Sequence, residues 1–506
     1  MTISRRNFLK ALGAGSAALA QARALPIALA DRPSGALMPV SATERDPTHH
    51  AIDRLTFGPT ASLVDRVAAS GASAFIEEQL APEGIDDAAL APYIQGFSDL
   101  YKSAGQLFEE YEQEIGPIAA QLIGNWVIRA LYSQRQLYER MVHFWSDHFS
   151  IFVSSGILYL LKVDNDRDAI RAHAMGRFRD LLGAVAHSPA MLVYLDNATS
   201  TYEAPNENFA RELLELHTLG VDGGYTEDDV KEVARCFTGW TVARPRGERR
   251  LPGQGEPGSF WFNPRMHDDG PKTVLGHQIP AGGRESDGEA VLDILAQHPS
   301  TARFVCTKLV RRFVADDPPA EIVDVCAATF AQTDGDIRAV LRTLFQAPGF
   351  WEATPKFKRP FEYTISILRA LNFNIEQFRS FAGPFRGVML NMGHLPFNRS
   401  SPDGYPDRQE EWDDNLLTRW NIAIAAAHGG IPGATASILP LLEAKAVPLE
   451  AEPIIRFLGA YFYGRELSSD ELQVVMAYIN SGDSDEVERL QDGIALLLAA
   501  PAFQYR

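Results

Sequence analysis

Apolar residues recur at three- and four-residue steps along most of this chain, and that spacing admits few folds other than packed helices. The run QLIGNWVIRALYSQRQLYERMVHFWSDHFSI carries it, as do RFRDLLGAVAHSPAMLVYL, VLDILAQHPSTARFVCTKLVRRFV, IRAVLRTLFQAPGF, ELQVVMAYI and VERLQDGIALLLAAPAF. Strict alternation, the period of a half-buried strand, is scarce, and no repeat of fixed length recurs. The expectation is a mainly α protein, a single large helical domain over residues 49–506 with long irregular loops and little β. The least helical stretch is a loop insertion at about 241–290, rich in Gly, Pro and Arg, and a second irregular segment covers about 382–412.

The first residues have another character. SRRNFLK, residues 4–10, sets paired arginines before the short apolar run ALGAGSAALA, which is too short to be retained as a membrane span. The order of Ser, two Arg, a variable residue, Phe, Leu and Lys is similar to a twin-arginine export signal. Residues 1–30 are therefore expected to be that signal peptide, and 31–48 an extended lead-in. Cleavage after Ala30 is favoured over Ala24, because Asp31 then opens a polar segment. The implied location is periplasmic or extracellular, and no later run is long and uncharged enough to span a membrane.

The chain carries 47 basic and 65 acidic residues, a net charge of −18. Removing residues 1–30, which hold four basic residues and no acidic one, leaves 43 against 65, or −22. Such a surface disfavours nucleic acid and anionic membrane as partners. Cys236, Cys306 and Cys326 allow at most one disulfide and form no CxxC pair, which excludes a disulfide-stapled scaffold.

The stretch NENFARELLELHTLG, residues 206–220, places five ionisable side chains among leucines. Asn206 is a natural N-cap and Gly220 a natural C-terminal stop; the next helix opens at Thr226, with Asp229 completing a capping box. At about 100° per residue, Asn208, Arg211, Glu212 and Glu215 share one arc of about 100°, while Phe209, Leu213 and Leu216 share the next. An amide, a cation and two carboxylates so placed could hold a divalent metal or act as acid and base, and they could equally be a solvated face with helix-spaced ion pairs.

In ERMVHFWSDHF, the residues Glu139, His143 and Asp147 step by four and read as a stripe facing solvent. His148 falls on the apolar side with Met141, Phe144 and Trp145, where burial would tune its pKa and metal affinity. His267, Asp268 and Lys272, in the Gly-containing loop MHDDGPKTVLG, could ligate metal or bind substrate, or could simply shape a turn. Lys308, Lys358, Arg359 and Glu362 read as salt-bridge partners. No G-x-S-x-G elbow, P-loop, dinucleotide fingerprint, HExxH or CxxCH is present, and DGGYTEDD lacks the ligand spacing of an EF-hand.

The segments HHAIDRLTFGPT, FWSDHF, PAMLVYLDN, NENFARELLELHTLGVDGGYTEDDV, FTGW, HDDGPKTVLG, HPSTARFVCTKL, KRPFEY and GYP, together with the C-terminal helices, resemble the bacterial "domain of unknown function 1800" family. The resemblance covers nearly all of the chain after the signal. It matches at Trp145, His148, Asn208, Arg211, Glu212, Glu215, Trp240, His267, Asp268 and Lys272. It departs at Lys358-Arg359-Pro360, where many members have a small residue before the proline, and at Tyr405, where many have Trp. The family implies export and a possible sulfatase-like partner protein, but no established activity.

Three functions follow as expectations. The first is a hydrolase with a carboxylate/histidine site able to hold a divalent metal. There His148, Glu212, Glu215, Arg211 and Lys272 would be catalytic, Asn208, Trp145 and Trp240 would bind substrate, and His148, Glu212, Glu215, His267 and Asp268 would ligate the metal. The second is a non-catalytic accessory or assembly protein for the sulfatase-like partner, with the same charges forming a buried ion network. The third is a redox protein with a bound cofactor, suggested by the export route.

Overall fold

Local signals start and stop the helices where they should. Asn206 accepts the Phe209 amide at 3.1 Å, Gly220 ends that helix at φ +81°, and Thr226 and Asp229 close both arms of the capping box. Prolines sit in the first turn of Pro47–Leu55, Pro189–Tyr194, Pro299–Phe313 and Pro360–Ala370, where no helical N–H is lost. The computed structural model describes residues 46–111, 116–153, 156–243, 254–481 and 484–506. With 63% helix and 5% strand it is mainly α. The twin-arginine pattern and its cleavage sites lie outside the described residues.

Two apolar cores share the work of folding. One gathers helices from Pro47–Leu55 through Ile337–Gln346 around Trp145, Phe178, Leu213, Trp240 and Leu309. The other gathers Gly116–Tyr132, Pro360–Ala370 and the helices after it around Val127, Tyr363, Leu458 and Leu498. Gln136–His148 faces the first core with Leu137, Met141 and Trp145; Pro360–Ala370 faces the second with Tyr363, Ile365 and Leu368. Charged side chains occupy the seam between these two helices.

The loop insertion is more ordered than its composition suggests. Trp240–Val242 pairs antiparallel with Phe260–Phe262, and Lys272–Val274 with His277–Ile279. The second hairpin turns through Leu275 (φ +50°) and Gly276 (φ +79°), the pair of positive values that a two-residue type I′ turn needs. Leu275 tolerates that angle because its amide is held by Asp229 Oδ1 at 2.7 Å. The irregular segment expected from 382 is corrected: Phe378–Asn391 is helical, with Pro384 inside it. Three cysteines are buried and free. No helix among the described residues is long and apolar enough to cross a membrane.

Candidate functional site

The helix Gln136–His148 overturns its solvent-stripe reading. Glu139, His143 and Asp147 do share a face, but that face points into the seam, and Glu139 and His143 are buried. Four-residue spacing fixes which side chains align; it does not say what packs on them. Glu139 accepts two hydrogen bonds from Arg171 Nη1, at 2.8 and 3.1 Å. His143 stacks on Trp126 with ring centroids 3.9 Å apart and also touches Phe57 and Phe361. Asp147 Oδ2 accepts from Arg359 Nη1 at 2.7 Å.

Beneath Asp147 lies a buried charge cluster. Glu362 Oε1 is 2.8 Å from Arg312 Nη2, 3.3 Å from Arg359 Nε and 3.7 Å from Arg140 Nη2, and its Oε2 is 3.2 Å from Arg506 Nε. Burial alone would raise the Glu362 pKa, but the four guanidiniums hold it well below the usual carboxylate range. Asp407 Oδ1 lies 3.5 Å from Arg312 and from Lys356, and those cations likewise outweigh burial and depress its pKa. The carboxylates neutralise charge without satisfying every donor. Arg140 Nε and Nη2, Arg312 Nε and Nη2, and Arg506 Nε and Nη1 are buried and unaligned with any acceptor among the described residues.

Above the cluster opens a cleft of about 170 Å³. Asp147 and His148 form one wall, Lys308, Arg311 and Arg312 of Pro299–Phe313 a second, and Arg359 with Asp403, Tyr405 and Asp407 of the following loop the third. Lys308, Arg311 and Arg312 reach it together because three- and four-residue steps share a helix face. Gly404 explains the loop's approach. It sits at φ +78°, and a Cβ there would stand 2.0 Å from the Asp147 carbonyl oxygen. Tyr405 uses its hydroxyl to bond Leu395 O at 2.6 Å. A smaller cavity, sharing Asp147, Arg359 and Tyr405, continues inward past His143, Ser146 and His394.

The groups facing the cleft are tuned by their surroundings. Burial pushes Asp147 above its ordinary pKa, and Arg359 takes back part of that rise. Burial brings Lys308 down to about 8, with Arg311 adding to the fall and Asp147, Asp403 and Asp407 opposing it. His148 Nε2 lies 3.0 Å from the His217 carbonyl oxygen, so this nitrogen carries the proton and donates. His148 Nδ1 is then an open lone pair, buried without a partner, and burial followed by the Lys308 charge keeps the ring neutral.

The other sequence-selected residues are placed elsewhere. Trp145 and Trp240 are completely buried in the first core, Trp145 donating from Nε1 to Ala174 O at 2.9 Å, and neither lines the cleft. They fill core volume. Lys272 and His267 close on the buried Asp287 at 2.5 and 3.2 Å, fastening the second hairpin to the helix Ser286–Gln297. Asp268 is taken by Arg235 at 2.7 and 3.2 Å.

The 206–220 stripe is also rearranged. Leu213–Thr218 is a π-helical turn in which the Leu219 amide bonds Leu214 O, five residues back, at 2.8 Å. Each residue there advances by less than the α value, so the wheel that aligned Asn208, Arg211, Glu212 and Glu215 fails at its last member. Asn208 is exposed, Arg211 forms a two-pronged surface pair with Glu227 at 2.8 Å on each prong, and Glu215 accepts from Tyr225 at 3.3 Å. Glu212 is half-buried near the cleft's edge; burial first, then Glu215 and Asp403, raise its pKa against the pull of Arg211.

His148, Glu212, Glu215, His267 and Asp268 therefore do not form one ligand set. Among the described residues no three His, Cys, Asp or Glu side chains are grouped as a metal ion would need. Of the residues singled out as catalytic or ligating, the structure places only His148 in the cleft. Lys308, Arg359 and Glu362 carried a usable signal, basic and acidic residues within apolar helical runs, but read only as salt-bridge partners, as Arg359 and Glu362 indeed are.

The segments FWSDHF, HPSTARFVCTKL, KRPFEY and GYP, distant in sequence, thus meet at one cleft. The family described as "Protein of unknown function (DUF1800)" matches residues 50–505. The chain belongs to this family. No curated protein and no solved structure matches the chain. For this DUF1800 protein, function has to be read from the cleft itself.

Proposed function

We propose that the cleft binds a small anionic substrate and transforms it by proton transfer, with hydrolysis as the outcome where the proton is taken from water. The observation that carries this reading is the concentration of Lys308, Arg311, Arg312 and Arg359 around one cavity in an otherwise acidic protein, where they outnumber its carboxylates Asp147, Asp403 and Asp407. Arg311 and Arg312 would orient the anion, His148 Nδ1 would accept the proton, and Asp147, its pKa raised by burial, would return one. Glu212 at the rim would adjust the field without touching substrate. Among the described residues no ligand set supports the metal-dependent form of the hydrolase. Calorimetry with oxalate, phosphate and sulfate tests the reading: binding that weakens at least about tenfold in Arg311→Gln supports it, and no binding of any of the three by the intact protein sinks it.

A second reading, an accessory protein for a sulfatase-like partner, draws on one observation. The helix Leu416–Ala427 exposes Leu416, Leu417 (69% exposed) and Trp420 beside an apolar groove lined by Phe381, Val388 and Ile422. Co-elution with a purified sulfatase-like protein, lost in Leu417→Asp, would favour it; independent elution would remove it. We also propose, on the twin-arginine pattern, export to the periplasm or beyond; an Arg5→Lys/Arg6→Lys variant should stay in the cytoplasm on fractionation.

A further inference from the structure

The cleft holds one nucleophile that the charge cluster leaves unused. Lys308 is half-buried on the cleft wall and forms no ion pair or hydrogen bond among the described residues; its ammonium position lies 5.3 Å from the centre of the Phe304 ring. Other buried lysines are engaged: Lys162 donates to Asn165 at 2.6 Å, Lys272 is held by Asp287, Lys356 by Asp316 and Asp407, and Lys358 by Phe503 O. Around Lys308 stand Arg311 and Arg312 one turn along, with His148 and Asp147 across the cavity.

We infer that Lys308 captures the carbonyl carbon of a small oxo-acid as an imine while Arg311 and Arg312 hold the acid's carboxylate. The inference rests on the anion-binding reading and names its substrate class. The amine lone pair attacks the carbonyl carbon, the oxygen is protonated and leaves as water, and the nitrogen loses its remaining protons down to the C=N bond. Lysine plus oxo-acid thus becomes imine plus water, with no oxidant or reductant. Asp147 is placed to protonate the departing oxygen and His148 Nδ1 to take up the proton from nitrogen. Burial brings the Lys308 pKa down to about 8, so about a tenth of its amine is uncharged at pH 7 and about half at pH 8.

The probe is glyoxylate with cyanoborohydride, which reduces the imine to a stable carboxymethyl-lysine read by peptide mass mapping. At about pH 8, Lys308 should be labelled at least about tenfold faster than exposed Lys231, because an ordinary lysine amine is almost wholly protonated there. Oxalate should protect Lys308, and Arg311→Gln should slow its labelling. Propionaldehyde, which lacks the carboxylate, should show no preference for Lys308. Labelling no faster than Lys231, or equal preference with propionaldehyde, overturns the inference. Calorimetry with oxalate on the same sample separates the two failures: slow labelling with oxalate still bound defeats the imine alone, and slow labelling without oxalate binding defeats the anion reading as well.

Discussion

Two helices of this protein carry nearly the same charged side chains and put them to opposite uses. Gln136–His148 holds Glu139, Arg140, His143, Asp147 and His148; the helix running from Glu207 to Thr218 holds Glu207, Arg211, Glu212, Glu215 and His217. The first lies between two apolar cores, so its charges must find partners inside, and they build the floor and wall of the cleft. The second lies at the rim, and Arg211 spends its charge on exposed Glu227. Composition and periodicity are alike; what differs is which elements cover each face.

The comparison breaks first, if at all, at Glu362. Glu362→Leu would take from Arg140 and Arg506 the carboxylate they pair with and leave Arg312 and Arg359 only Asp407 and Asp147, and it should lower stability by roughly 3–5 kcal/mol in chemical denaturation. A loss close to zero would mean that the cluster is far wetter than its burial indicates. Next comes Lys272→Met, which strands Asp287 beside His267 and should cost roughly 3 kcal/mol, without changing oxalate affinity, since neither residue lines the cleft. Gly404→Ala should cost roughly 1–3 kcal/mol, because the loop must move off the Asp147 carbonyl, and it should also weaken oxalate binding. At the small end, Arg211→Ala should leave the denaturation midpoint unchanged within scatter, as expected of an exposed pair. A clear loss there would erase the contrast between the two helices.

Acid sharpens the same contrast. Unfolded histidines take up protons near an ordinary value of about 6.5. In the folded chain burial first, then Lys308, holds His217 down to about 3, and burial with nearby cations holds His143 and His148 well below 6.5. The unfolded state therefore binds more protons below about pH 6.5, so stability is full above that value and declines as pH falls toward the folded values. The unfolding free energy should drop between about pH 7 and 5.5, before most carboxylates titrate, at up to about 1.4 kcal/mol per unit for each histidine. His217→Gln should flatten that slope; an unchanged slope would assign the protons elsewhere.

Much of the fold was legible. The helical period, the Asn206 and Thr226 caps and the Gly220 stop were correct as read, and the motifs resembled the right family. The site was legible only in outline. FWSDHF, KRPFEY and GYP resemble family segments, yet NENFARELLELH is the more densely charged, and sequence shows charge density and not burial. The π turn at Leu213–Thr218 gave no sequence signal, since it depends on which carbonyl each amide reaches after packing.

What is local could be read from the residues alone: helix class, caps, turn glycines, the acidic composition and family membership. Those follow from backbone propensity and from hydrogen bonds within a few residues. Only the tertiary structure decided that Asp147, Lys308, Arg359 and Asp407 share a cavity, that Trp145 and Trp240 serve the core, and that Lys272 answers to Asp287. These contacts join residues far apart in the chain, and their energies come from burial and charge pairing that no single segment can set.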